Sequence, residues 1–112
     1  MLGDPESRHV AERGDEEGIA EAMSAKIRNA LVLYRPLLGV DGIELRLHRT
    51  VLYNSLYRAD DDLLVNPHVY GVSAAFAPVV HLRRQGESEI FGTYLASFNR
   101  VWEVATPLEV PA

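Results

Sequence analysis

The hydrophobic residues of this chain change period twice, and that change narrows what the chain can fold into. From Ile19 to about Leu38, the residues Ile19, Met23, Ile27, Ala30, Leu31 and Tyr34 recur at the spacing of an amphipathic helix, with Lys26 and Arg28 on other faces. Pro36 and Gly39 stop that helix. Past the Asp41-Gly42 turn, Ile43, Leu45 and Leu47 alternate with Glu44, Arg46 and His48, the two-residue period of a strand with one buried face. Val51 to Arg58 and Leu63 to Asn66 flank Ala59-Asp60-Asp61-Asp62, whose adjacent acids suit a solvated turn, so a β-hairpin is predicted there. A loop through Pro67, Gly71, Ala74-Ala75 and Pro78 leads to a short strand, Val79 to Arg83. The helical period returns near Ser88, where Ile90, Phe91, Tyr94, Leu95, Phe98, Val101 and Trp102 form one stripe before Pro107 and Pro111.

Helices bracketing a run of strands predict an α/β domain: a mixed sheet of about four strands packed by an N-terminal and a C-terminal amphipathic helix. A length of 112 residues allows one core. Residues 3–18 open on a Gly-Asp-Pro turn signal and become mixed and charged, which reads as an acidic loop or short helix of one turn. The expected organisation is therefore an acidic segment over 1–18, a single domain over 19–106 and a tail over 107–112.

Charge and composition exclude several classes. The net charge of -5 is concentrated in residues 1–21, with seven acids against Arg8 and Arg13, and the remainder balances nine against nine. An extended nucleic-acid footprint needs clustered Lys and Arg to displace condensed counterions, and Arg83-Arg84 is too little. The two long helices are separated by the whole strand region, so no compact helix-turn-helix can form. Without cysteines there are no disulfides, thiolate metal sites or cysteine nucleophiles, and a cytoplasmic location is the expectation. The polar start and the interruption of the longest apolar run, Ala30 to Val40, by Arg35 give no signal peptide or membrane span.

The chemistry-bearing residues form no familiar motif. Asp60, Asp61 and Asp62 lack the spacing of a Ca²⁺ loop, and His9, His48, His68 and His81 lack zinc-ligand spacing, so no metal or other cofactor is expected. Ser55 has no Gly-x-Ser-x-Gly around it. More informative is the polar density of one stretch: His48, Arg49, Tyr53, Asn54, Tyr57, Arg58, Asn66, His68 and Tyr70. Gathered by neighbouring strands, these would suit a small anionic or hydroxyl-bearing ligand, with guanidinium for charge and amide or phenol for orientation. An ordinary exposed sheet face is the alternative.

The stretches LGDPES, RGDEEGI, AKIRNALVLYRPL, LHRTVLYNSLYRADDDLLVNPHVYG, APVVHLRR and FGTYLASFNRVW together resemble the C-terminal part of the phospholipase D-like domain of actinobacterial XRE-type helix-turn-helix transcriptional regulators. The resemblance implies a phospholipase D-like half domain. Active members of that fold carry His-x-Lys-x-x-x-x-Asp, in which His attacks phosphorus, Lys binds phosphate and Asp supports a histidine. Asp60 matches the acid, while Tyr53 stands at the His position and Ser55 at the Lys position. The resemblance thus implies a degenerate site without phosphodiester cleavage. The regulators' DNA-binding portion and the first half of their domain have no counterpart here, which fits a truncated product, a mis-assigned start or a half domain that self-associates.

Three functions follow as expectations. The first is a non-enzymatic sensory, effector or interaction domain, its partners a small anionic or polar ligand and a second copy of the chain, with no direct nucleic-acid or membrane contact. The second is a minimal dimeric phospholipase D-like phosphodiesterase. The third is a remnant without independent function.

Overall fold

The computed structural model describes residues 1–86 and 89–109. The helix start expected near Ser88 and the stop at Pro111 lie outside them. Among the described residues there are three helices, α1 (Arg8–Glu16), α2 (Ala22–Tyr34) and α3 (Glu89–Val104). The strands are β1 (Leu2–Gly3), β2 (Arg46–His48), β3 (Asn54–Ala59), β4 (Asp62–Pro67), β5 (Val80–Arg83) and β6 (Thr106–Pro107). The fold is α/β, and no helix among the described residues is long and apolar enough to cross a membrane.

The strands do not form one sheet of about four. They form two sheets of three: a mixed sheet in the order β1-β2-β6 and an antiparallel meander, β3-β4-β5. The reason lies in β2, whose two edges are taken by segments from opposite parts of the chain. Leu2 pairs in parallel with Leu47, and Thr106 pairs with the same Leu47 from the other side, antiparallel. With both hydrogen-bonding edges used, the hairpin that follows builds its own sheet.

Residues 8–16 are helical where charge suggested mostly loop. Asp4 accepts from the Glu6 N–H through Oδ1 at 2.9 Å, and Ser7 Oγ accepts from the His9 N–H at 3.2 Å, so the first turn of α1 is capped. Val10 and Gly14 turn inward. A Cβ on Gly14 would collide with the Ala20 carbonyl oxygen, so only glycine permits this approach to the start of α2. The acids on the outer faces of α1 hid this short apolar stripe.

Within the meander, the two-residue period places Leu63 and Val65 of β4 under α3, where both are 1% exposed. Phe91 of α3 completes the core, with Leu56, Leu82, Tyr94 and Leu95 packed around it. The guanidinium of Arg84 lies 4.7 Å and that of Arg58 5.8 Å from the Phe91 ring centre. The hairpin turn is tighter than expected: Ala59 pairs with Asp62, leaving Asp60 and Asp61 at the turn, with Asp60 at φ 51. Asp62 therefore belongs to β4, where its carboxylate meets His81 Nε2 at 2.9 Å.

Two side chains lock distant pieces together. Arg46 of β2 donates from Nη1 to the Trp102 carbonyl at 2.7 Å and stacks 4.2 Å from the Trp102 ring centre, which ties the C-terminal end of α3 to the mixed sheet. Asn66, buried in β4, donates from Nδ2 to the Pro78 carbonyl at 3.1 Å and the Ala74 carbonyl at 3.4 Å, pinning the 3-10 turn Ala74–Phe76 over the sheet.

Candidate functional site

α1, the first part of α2, the connection from β2 to β3 and the loop after β4 surround a cleft of about 580 Å³. Of the polar residues singled out by the sequence, His48, Tyr53, Asn54, His68 and Tyr70 line it. Four do not. Arg49 is paired with Asp4 at 2.9 Å, and Asn66 is spent on Ala74 and Pro78. Tyr57 and Arg58 lie toward the turn end of the hairpin, beside Leu64 and His81, carried about 10 Å or more from Asn54 by the strand rise.

The cation of the cleft comes from α1. Arg13 Nε donates to Glu17 Oε2 at 2.9 Å, and Nη1 lies 3.9 Å from Glu16. The Glu17 side chain is 3% exposed, and its other oxygen accepts the Ala74 N–H at 3.2 Å, so the ion pair also fastens the loop after β4. Arg13 Nη2 is buried and has no hydrogen-bond partner among the described residues, and the same holds for His9 Nδ1. The two N–H groups of Nη2 lack an acceptor, which leaves this end of the guanidinium to an oxygen that the surrounding side chains shift to admit.

Sequence reasoning missed this set because it sought the site on strands alone. The available signal was the helical spacing of His9, Arg13, Glu16 and Glu17, which puts them on one side of α1 at i, i+4, i+7 and i+8. An acidic loop or a helix of one turn, as the charge of this segment suggests, is too short to bring those four residues together.

Two of the three cleft histidines, His68 and His48, have opposite hydrogen-bonding roles. His68 Nδ1 lies 2.8 Å from the Leu52 carbonyl, which can only accept, so the proton sits on Nδ1 and the neutral ring keeps Nε2 as an acceptor. His48 Nδ1 receives the Thr50 N–H at 3.3 Å, so its neutral ring carries the proton on Nε2 and donates there. Burial lowers the pKa of both below the ordinary value of 6.5, and at His68 the nearby Arg13 charge lowers it further. Both are neutral near pH 7.

The charged residues lining the cleft are Arg13 and Lys26 against Glu12, Glu16 and Glu17, one negative charge in surplus. A multiply charged phosphate meets net repulsion there. A single carboxylate meets less of it, and a neutral carbonyl or hydroxyl oxygen none. Tyr53 and Ser55 are both on the wall, and Tyr53 is 77% exposed. No group of three or more His, Asp or Glu able to hold a metal ion occurs among the described residues.

No protein-family model matches this chain, and comparison with curated proteins and with solved structures also produced no match.

Proposed function

We propose that the chain is a non-catalytic binding or effector domain whose ligand enters the cleft between α1 and the start of β3. One observation carries this reading: the buried, unpartnered Nη2 of Arg13, on a wall that also holds two neutral histidines of opposite tautomer. The ligand is a small molecule with a single carboxylate or another oxygen acceptor for Arg13 and a hydroxyl or amide N–H for His68 Nε2. Tyr53 and Tyr70 offer aromatic surface to its apolar part. The resemblance to the effector half of XRE-type regulators supports the same role.

The test is calorimetric titration with small hydroxy- and amino-carboxylates, with inorganic phosphate alongside. Carboxylate binding without turnover is expected, and Arg13→Lys should abolish it while leaving the fold intact. The ammonium keeps the pairing with Glu17 but lacks the second arm of the guanidinium fork. Hydrolysis of bis-p-nitrophenyl phosphate, lost in Tyr53→Phe, would establish the phosphodiesterase reading instead. Tight binding of phosphate would overturn the charge argument.

A further inference from the structure

The carboxylates on the cleft wall are not equally occupied. Both oxygens of Glu17 are taken, by Arg13 Nε at 2.9 Å and by the Ala74 N–H at 3.2 Å. Glu16, one residue earlier, accepts no hydrogen bond among the described residues. It comes no nearer to Arg13 Nη1 than 3.9 Å, beyond hydrogen-bond distance, and 39% of its side chain is exposed. Glu12 is in the same condition, with His9 Nδ1 at 3.6 Å and 63% of its side chain exposed. With the Arg13–Glu17 pair set aside, the formal charges left on the wall are Glu12 and Glu16 against Lys26.

The unsatisfied groups share one part of the cleft. His68 feels the charges of Arg13, Glu17 and Glu16 together. Its Nε2 is an acceptor, because the proton of the neutral ring is on Nδ1 toward the Leu52 carbonyl. One small region therefore combines a donor, Arg13 Nη2, with two acceptors, Glu16 and His68 Nε2.

A plain carboxylate satisfies the donor and turns its own negative charge toward Glu16. A plain amine satisfies the acceptors, leaves Arg13 Nη2 without an oxygen and meets the Arg13 charge. A ligand that carries an ammonium beside its carboxylate satisfies all three groups, and its two charges offset each other. The exposed rings of Tyr53 and Tyr70, on the same cleft, present π faces that tolerate a cation.

On the basis of the cleft reading above, we infer that the ligand is an amino carboxylate, a zwitterion whose carboxylate meets Arg13 and whose ammonium meets Glu16 and His68 Nε2. The ammonium is the selective group. Arg13 draws any small carboxylate, whereas Glu16 rewards only one that brings its own positive charge.

Calorimetric titration of the full chain at neutral pH with butyrate, α-aminobutyrate, γ-aminobutyrate and butylamine tests this. At least one aminobutyrate should bind about tenfold tighter than butyrate in low salt, the effect of one opposite charge at a half-exposed carboxylate. The advantage should shrink in strong salt. Glu16→Gln, with unchanged far-ultraviolet circular dichroism, should erase the advantage and tighten butyrate, since it removes the negative charge that faces the ligand carboxylate. Butyrate binding as tightly as both aminobutyrates, or an advantage that survives Glu16→Gln, would overturn the zwitterion and leave the carboxylate cleft standing. Butylamine binding as tightly as the aminobutyrates would also overturn it, because the carboxylate would then contribute nothing. Binding of none of the four would overturn both this inference and the reading on which it rests.

Discussion

Asn66 illustrates how one side chain decides where a loop lies. Its amide is the donor for two carbonyls, Ala74 and Pro78, in a segment that has little apolar anchoring: Phe76 is 85% exposed. Asn66→Ala should cost about 1–3 kcal/mol, because it leaves those carbonyls without their donor, and urea unfolding reads the change directly. Phe91→Ala should be the more damaging, at about 3–5 kcal/mol, since it empties the centre of a core with few other fully buried side chains. A loss below about 1 kcal/mol in the same urea titration would mean that the stability of the chain resides elsewhere. At this scale the candidate site was only half legible. Residues of known polarity could be named from the sequence, but whether Asn66 faced a ligand or a neighbouring carbonyl depended on where the following loop came to rest.

α1 shows the corresponding limit for elements. The long stripes of α2 and α3 and the alternation through β2, β3, β4 and β5 are strong periodic signals, and each element appears where its period predicts, within a few residues at the ends. α1 offers just Val10 and Gly14 as inward residues among acids, a stripe too short to register. The pairing of β1 and β6 with β2 was also beyond reach, because two-residue strands carry no period at all. Gly14→Ala tests the contact on which α1 depends. The added methyl would push α1 away from Ala20, so a loss of about 1–3 kcal/mol is expected, with faster hydrogen exchange at the Ala74 amide that Glu17 now holds. Unchanged exchange at Ala74 would show that Glu17 does not fasten the loop.

For the molecule as a whole, acid should weaken the fold in two separate steps. His48 and His68 have folded pKa values below 6.5, so as pH falls through 6.5 the unfolded chain takes up protons that the folded chain refuses. Stability is full above that pH, declines as pH drops toward the lowered folded values, and then levels. Asp4 acts at more acid pH. Burial pushes its carboxyl up, but the Glu6 N–H and Arg49 outweigh that and hold it below 3.8. Its contribution is present above 3.8 and lost as pH falls through the folded value. Thermal melts from pH 7.5 to 5 should therefore show a falling midpoint, flattened in a His48→Gln, His68→Gln double variant. A flat wild-type profile would contradict the burial of these rings. The outline, 42 × 38 × 22 Å, is thin for a chain of this length, in keeping with helices that leave one face of the meander uncovered.

The strand pairing about Leu47 also sets an order of events during folding. The meander joins neighbours in sequence and needs only short loops to close, so it can form as soon as residues 54–83 are free to collapse. The mixed sheet needs Leu2, Leu47 and Thr106 to arrive together, which closes loops spanning most of the chain and carries the larger entropic barrier. The kinetic nucleus therefore lies in the middle of the polypeptide, and its two extremities are the last to dock and the first to peel away. Proteolytic nicking at either extremity should then expose the other, a coupling that pulsed hydrogen exchange can follow at the Asp4 and Leu108 amides, which donate to His48 and Leu45.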